Sequence, residues 1–214
     1  MQPTRTLTAH CTLSHPADGQ PLLTINNEHA KAEISLFGAH VLRYQRHSEP
    51  ASLWLSDKAV LDGSKPIRGG IPLCWPWFGP APARVGSGKP ALGFARTSLW
   101  TLDGVSDHGD GTLVHLSLRD TDASRALWPH AFELELDVLV GKELSLVLTT
   151  RNTGKTPLTY NAALHTYLQI SAPEAVSVTG LGEPYADKLT GQDGQQQGAL
   201  TLIAAIDRVY HQAG

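Results

Sequence analysis

Residues 132–148 read FELELDVLVGKELSLVL. Phe132, Leu134, Leu136, Val138 and Val140 occupy every second position, and Leu144, Leu146 and Leu148 resume the alternation beyond Gly141-Lys142. Side chains on an extended chain point alternately to opposite faces, so a period of two gives each run one apolar face. An amphipathic helix would instead repeat its apolar residues every three or four positions. Two such runs joined by a Gly-containing two-residue turn predict an antiparallel hairpin with one buried face.

The same pattern extends outward. Val114, Leu116 and Leu118 alternate after the turn-rich Asp107-His108-Gly109-Asp110-Gly111. Shorter strands are expected at 20–26, 31–37, 39–46, 52–56, 97–105, 157–170, 175–179 and 199–206. One short helix is expected between Asp120 and Trp128, with Thr121 or Asp122 as its N-cap. Many short strands with almost no helix predict an all-β antiparallel sandwich or barrel. A chain of 214 residues suits one domain of that class. No linker or repeat divides it, so 1–214 reads as a single domain, with GQDGQQQG at 191–198 as a flexible loop.

Composition narrows the partners. A formal charge of -3 lacks the basic excess of a nucleic-acid binder. Cys11 and Cys74 fit no metal-ligand spacing and read as reduced thiols of a cytoplasmic protein. The N-terminal stretch MQPTRTLTAHCTL lacks the pattern of a secretory signal, and no run reaches the ~18 apolar residues of a membrane span. A cytoplasmic monomer without nucleic-acid or membrane partners is the expectation.

In PLTYNAALHTYLQI, 157–170, Tyr160, Ala162, Leu164, Leu168 and Ile170 share one parity; Asn161, Ala163, His165, Tyr167 and Gln169 share the other. The apolar parity is expected to pack and the polar one to present His165, whose imidazole can exchange protons near neutral pH. The ten histidines otherwise form no HxH or HxxxH pair, and no GxSxG elbow occurs. Arg68 lies in PIRGGIPLCWPWFGP, 66–80, and Arg96 in LGFAR, 92–96. Planar guanidinium groups on Gly-containing, aromatic-rich segments suit a phosphate or carboxylate.

These stretches carry a resemblance. PIRGGIPLCWPWFGP, LGFARTSLW, NAALHTYLQI and IDRVY, in that order, are similar to motifs of the hexose-6-phosphate mutarotases, a branch of the aldose 1-epimerases. The resemblance implies a galactose-mutarotase-like β-supersandwich and the interconversion of α and β anomers of a hexose 6-phosphate. It assigns His165 as acid at the ring oxygen, Arg68 and Arg96 to the 6-phosphate, and Asp207 to sugar hydroxyls. It implies no metal or organic cofactor, and a Pro/Trp-rich rim that stiffens Arg68 and walls the sugar pocket. Two departures accompany it. Leu92 stands where family members carry a His, and the family continues beyond DRVY with strands that supply a catalytic Glu. The fold is therefore expected to be incomplete at its C-terminal end, with an open sheet edge or apolar groove and impaired turnover. A phosphosugar-binding sandwich without catalysis is the alternative reading.

Overall fold

In the computed structural model, residues 4–211 are described. The chain gathers into two compact units, one ending at Leu168 and the other beginning at Gln169. Among the described residues, no helix is long and apolar enough to cross a membrane.

The first unit opens with a five-stranded antiparallel sheet whose strands follow chain order: β1 (Arg5–Thr6), β2 (Cys11–Ser14), β3 (Leu22–Asn26), β4 (Ala30–Ser35) and β5 (His40–Arg46). A short strand β6 (Leu73–Cys74) follows. The second large sheet has β7 (Thr101–His108), β8 (Gly111–Arg119), β9 (Phe132–Gly141) and β10 (Leu144–Asn152), in the order β10-β9-β8-β7. The predicted hairpin is β9–β10, with Val140 opposite Leu144 and Phe132 opposite Asn152. The β9–β10 ladder closes at Val140 and Leu144, so the connection is the three residues Gly141-Lys142-Glu143 rather than Gly141-Lys142, and Gly141 N–H donates to the Glu143 carbonyl across it at 3.1 Å.

The alternation on β9 becomes the core. Phe132, Leu134, Leu136, Val138 and Val140 are buried, as are Leu23, Ile25, Ile34 and Val41 from the first sheet, all in one cluster. Each such side chain contributes roughly 1.5–3 kcal/mol by leaving water. Polar ties fasten the edges of this interior. Asn27 Nδ2 donates to the Val140 carbonyl at 2.7 Å, and the Tyr44 hydroxyl donates to the Gly141 carbonyl at 2.9 Å. The helix α1 (Asp122–Leu127) starts at Thr121, whose hydroxyl accepts from Ser124 N–H in a reciprocal capping box.

The expected strand at 157–170 is shorter than its pattern. Only β11 (Ala163–Leu164) forms, antiparallel to β6, with an isolated bridge from Leu168 to Leu53. Its faces are also exchanged relative to expectation. Leu164 and Leu168 are 43% and 66% exposed, whereas Ala163, His165 and Tyr167 are half-buried. A shallow groove of about 340 Å³, lined by Leu53, Ile71, Leu144, Leu146, Leu164 and Leu168, runs along this apolar face.

The second unit pairs β12 (Ser177–Val178) with β15 (Leu200–Thr201), and β13 (Pro184–Asp187) with both β14 (Asp193–Gln195) and β16 (Arg208–Tyr210). Asp193–Gln195 was expected to be loop; its backbone is instead recruited as β14. Arg208 lies 4.2 Å above the Tyr185 ring and 3.2 Å from the Asp187 carboxylate, so much of the IDRVY motif serves this unit's own packing.

Candidate active site

The run at 66–80 is central to the first unit, but its tryptophans do not form an exposed rim. Trp75 and Trp77 are fully buried, and the Trp75 ring packs against Phe94, Trp128 and Phe132 at centroid distances of 5.7, 5.1 and 4.6 Å. Indole rings carry too much apolar surface to leave in water when a core lies beside them. The sequence signal of bulk was correct; its reading as pocket wall was not. Phe78, at 36% exposure, is the ring of this run that reaches the surface.

Two other segments clamp the run from either flank. On one side, Leu92 N–H donates to the Gly79 carbonyl at 2.7 Å, and Phe94 and Ala95 N–H both donate to the Trp75 carbonyl, at 2.9 and 3.2 Å. Gly93 has φ +68°, and a side chain there would collide with that carbonyl, so glycine is required. On the other side, Asn161 N–H donates to the Pro76 carbonyl at 3.2 Å, His165 N–H to the Pro72 carbonyl at 3.0 Å, and Tyr167 N–H to the Gly70 carbonyl at 2.9 Å. Arg96 and His165 thus ride on opposite flanks of the segment that Arg68 introduces.

The start of β5 supplies a further common support. Gly38 N–H donates to the Ser98 carbonyl at 2.7 Å, and a Cβ at Gly38 would lie 2.7 Å from the Arg96 carbonyl oxygen. Two residues on, His40 Nε2 meets the Gly69 carbonyl at 2.7 Å. A carbonyl only accepts, so Nε2 carries the proton and Nδ1 does not. Burial pushes the His40 pKa down to about 4, and the nearby Arg96 cation opposes protonation further. This neutral histidine joins the Arg96 turn to the Arg68 loop. Sequence reasoning missed it; the available signal was one histidine inside the apolar run Phe37-Gly38-Ala39-His40-Val41-Leu42.

The guanidinium groups have little else to bind. Arg96 is half-buried, with Nη2 donating to the Ala91 carbonyl at 3.2 Å and its buried Nε without a hydrogen-bond partner among the described residues. Arg68 is exposed and has no carboxylate or other side-chain partner among the described residues; its carbonyl accepts from Ser56 N–H at 3.1 Å. The His165 ring is 5.0 Å from Tyr167 and 6.0 Å from Phe78, and Tyr167 is 5.8 Å from Trp54. A row of rings therefore flanks the imidazole, and the Asn161 carboxamide oxygen anchors Phe78 N–H at 2.6 Å. Asp207 belongs to the second unit, where it is exposed and its carbonyl accepts from Lys188 N–H at 2.8 Å.

Another polar concavity, about 350 Å³ on the outer face of the β7–β10 sheet, gathers Asp103, His115, Arg119, Glu133 and Asp137. Its charges pair internally, Arg119 with Glu133 at 2.5 Å and His115 with Asp137 at 2.6 Å, which is the behaviour of a solvated sheet face. Among the described residues no three His, Cys, Asp or Glu side chains gather as a metal-binding group.

The motifs and geometry have close counterparts in known proteins. A relative from Escherichia coli strain K12, named "Putative glucose-6-phosphate 1-epimerase", is 35% identical over 195 residues, covering 90% of this chain and 64% of its own. A plant relative of the same name, from Cenchrus ciliaris, is 34% identical over 84% of this chain and 56% of its own. This chain therefore spans between 56% and 64% of these relatives' length. The crystal structure of a "putative mutarotase" from Salmonella typhimurium superposes with a TM-score of 0.89 at 32% identity, covering 97% of this chain and 69% of that one. The sequence matches the Aldose 1-epimerase family over residues 21–213. With the Arg68, Arg96 and His165 segments laced to one another, the chain belongs to the aldose 1-epimerase family.

Proposed function

We propose that the protein binds a hexose 6-phosphate and interconverts its α and β anomers, with glucose 6-phosphate as the first substrate to test. The observation that supports this most is the lacing of three segments. Arg68 and Arg96, neither ion-paired among the described residues, share a scaffold with half-buried His165. Guanidinium groups match a phosphate dianion with paired donors. Fixing that handle orients the pyranose over the aromatic row, with its ring oxygen toward His165.

In the reaction, the anomeric O–H gives its proton to a base as His165 gives one to the ring oxygen. The bond from C1 to the ring oxygen breaks and a C1 carbonyl forms. Rotation about C1–C2 exposes the other carbonyl face; closure then returns each proton by the reverse path. The family resemblance assigns the base to a Glu in the strands beyond DRVY and assigns Asp207 to sugar hydroxyls. Buried, unpaired Cys11 and Cys74 support a reducing compartment, the cytoplasm.

Binding and exchange test the reading separately. Arg68→Ala is expected to weaken glucose 6-phosphate roughly 10–100-fold by calorimetry and to leave glucose unchanged, since a hydrogen bond to a charged group contributes ~1.5–3 kcal/mol. His165→Ala is expected to lower NMR anomer exchange ~10²–10⁴-fold while retaining binding. Equal affinity for glucose and glucose 6-phosphate would overturn the phosphate assignment. Firm binding with exchange at the buffer rate would replace turnover by recognition.

A further inference from the structure

The chain enters β5 through two successive left-handed residues, Gly38 at φ +82° and Ala39 at φ +46°. A residue with a Cβ holds such a conformation only where the surrounding structure fixes it. The outcome of this turn is a fully buried imidazole, His40, set between the two arginine segments. The loop that follows Arg68 is pressed against it. A Cβ on Gly70 would lie 2.2 Å from the Val41 carbonyl oxygen and 3.0 Å from His40 Nε2, and Ile71 N–H donates to the Val41 carbonyl at 2.9 Å.

Two buried atoms beside this contact have complementary needs. With its Nε2 proton given to the Gly69 carbonyl, His40 keeps Nδ1 as an acceptor, and this atom has no hydrogen-bond partner among the described residues. Arg96 Nε can only donate, and it too is buried and unpartnered among the described residues. The two side chains are close enough for the Arg96 charge to act on the imidazole. Cys74 also feels that charge, but burial keeps its thiol protonated and a thiol sulfur accepts weakly. The contact the guanidinium does make, Nη2 to the Ala91 carbonyl at 3.2 Å, uses the end that a phosphate would take.

We propose that His40 is a positioning residue for the phosphate grip, an inference that rests on the hexose 6-phosphate reading. Its Nε2–H holds the Gly69 carbonyl beside Arg68, and its Nδ1 accepts the Arg96 Nε–H when a phosphate draws the Nη atoms away from Ala91. Pairing the two orphaned atoms relieves the cost of burying each of them alone. That relief arises in the bound state, so it adds to affinity for the phosphate. The Nε2–H tautomer serves both ends at once; a proton on Nδ1 would face another donor. His40 touches neither phosphate nor sugar, and binding of unphosphorylated glucose does not depend on it.

Calorimetry with glucose 6-phosphate and with glucose tests the role. The native chain is expected to prefer the phosphorylated sugar. His40→Leu, confirmed folded by circular dichroism, is expected to weaken glucose 6-phosphate roughly tenfold, as loss of one hydrogen bond to a charged group would, and to leave glucose unchanged. His40→Gln is expected to recover most of that loss, because a carboxamide carries one donor group and one acceptor as the neutral imidazole does. Cys74→Ala is expected to leave both affinities unchanged. Nitrogen NMR of the native chain gives a readout that needs no altered fold, with the His40 signals assigned by their absence in His40→Gln. Glucose 6-phosphate, but not glucose, is expected to move Nδ1 to the position of a hydrogen-bonded acceptor while Nε2 keeps its proton. Equal affinity of the native chain for the two sugars would remove the hexose-phosphate reading and this role with it. A preference unmoved by His40→Leu, a loss shared by Cys74→Ala, or an Nδ1 signal indifferent to glucose 6-phosphate would each overturn the role of His40 alone.

Discussion

Strand β9 and the segment 160–170 present nearly the same signal and meet opposite fates. Both alternate apolar residues with a period of two. On β9 the apolar parity is buried under the first sheet. On 160–170 the apolar parity faces outward, with Tyr160, Leu164, Leu168 and Ile170 between 38% and 66% exposed. Alternation states which side chains share a face; it does not state what lies against that face. For β9 the cover comes from Leu23, Ile25, Ile34 and Val41 within the same unit. For 160–170 no such cover lies against the apolar parity among the described residues; the backbone N–H groups of Asn161, His165 and Tyr167 tie the segment edge-on to the carbonyls of Pro76, Pro72 and Gly70, and Ala163, His165 and Tyr167 take the half-buried side.

The largest expected effect comes from truncating the covered face. Leu136→Ala should cost about 2–5 kcal/mol in urea unfolding, the range for a leucine removed from a packed interior. The residue is fully buried, with neighbours from both sheets in its cluster. A loss below about 1 kcal/mol would mean that the interior relaxes into the space and that β9 is less tightly covered than its burial indicates.

Much of this was legible in the sequence wherever the deciding partner lies close along the chain. The β9–β10 hairpin and the Thr121 cap are local, and both appear with small shifts of boundary. Arg68, Arg96 and His165 were legible as motif members, since Gly, Pro and aromatic neighbours mark positions where backbones approach closely. What stayed hidden depends on distant partners. The His40 bond to Gly69 joins positions 29 residues apart, and no spacing rule connects them. Trp75 and Trp77 were misread as pocket walls because a Pro-rich run resembles a surface loop until Trp128 and Phe132 are seen against it. The exchanged faces of 160–170 have the same origin.

His40, in the scaffold beneath the 66–80 run, carries a pH dependence of its own. Burial holds the His40 pKa near 4, below its ordinary 6.5, so the folded state binds fewer protons there than the unfolded chain. That contribution is complete above pH 6.5 and is lost as pH falls toward 4, amounting to about 3 kcal/mol at roughly 1.4 kcal/mol per unit. Urea midpoints at pH 7 and pH 4.5 should differ more for the native chain than for His40→Gln, which keeps a donor for Gly69 but cannot titrate. Identical pH dependence in the two proteins would remove His40 from the scaffold's energetics.

The smallest expected effect is at the uncovered face. Leu168 is 66% exposed, so replacing it by Ser returns little apolar surface to water that folding had removed. Its backbone bridge to Leu53 needs no particular side chain. Substitutions at such sites usually stay within about 0.5 kcal/mol, and Leu168→Ser should do so in dilute protein. The same change should reduce binding of a hydrophobic dye, because it makes the floor of the Leu144–Leu164 groove more polar. The two measurements separate exposure from burial at one position. A destabilisation near that of Leu136→Ala would show that something covers Leu168 in solution, and the contrast between the two alternating runs would fail.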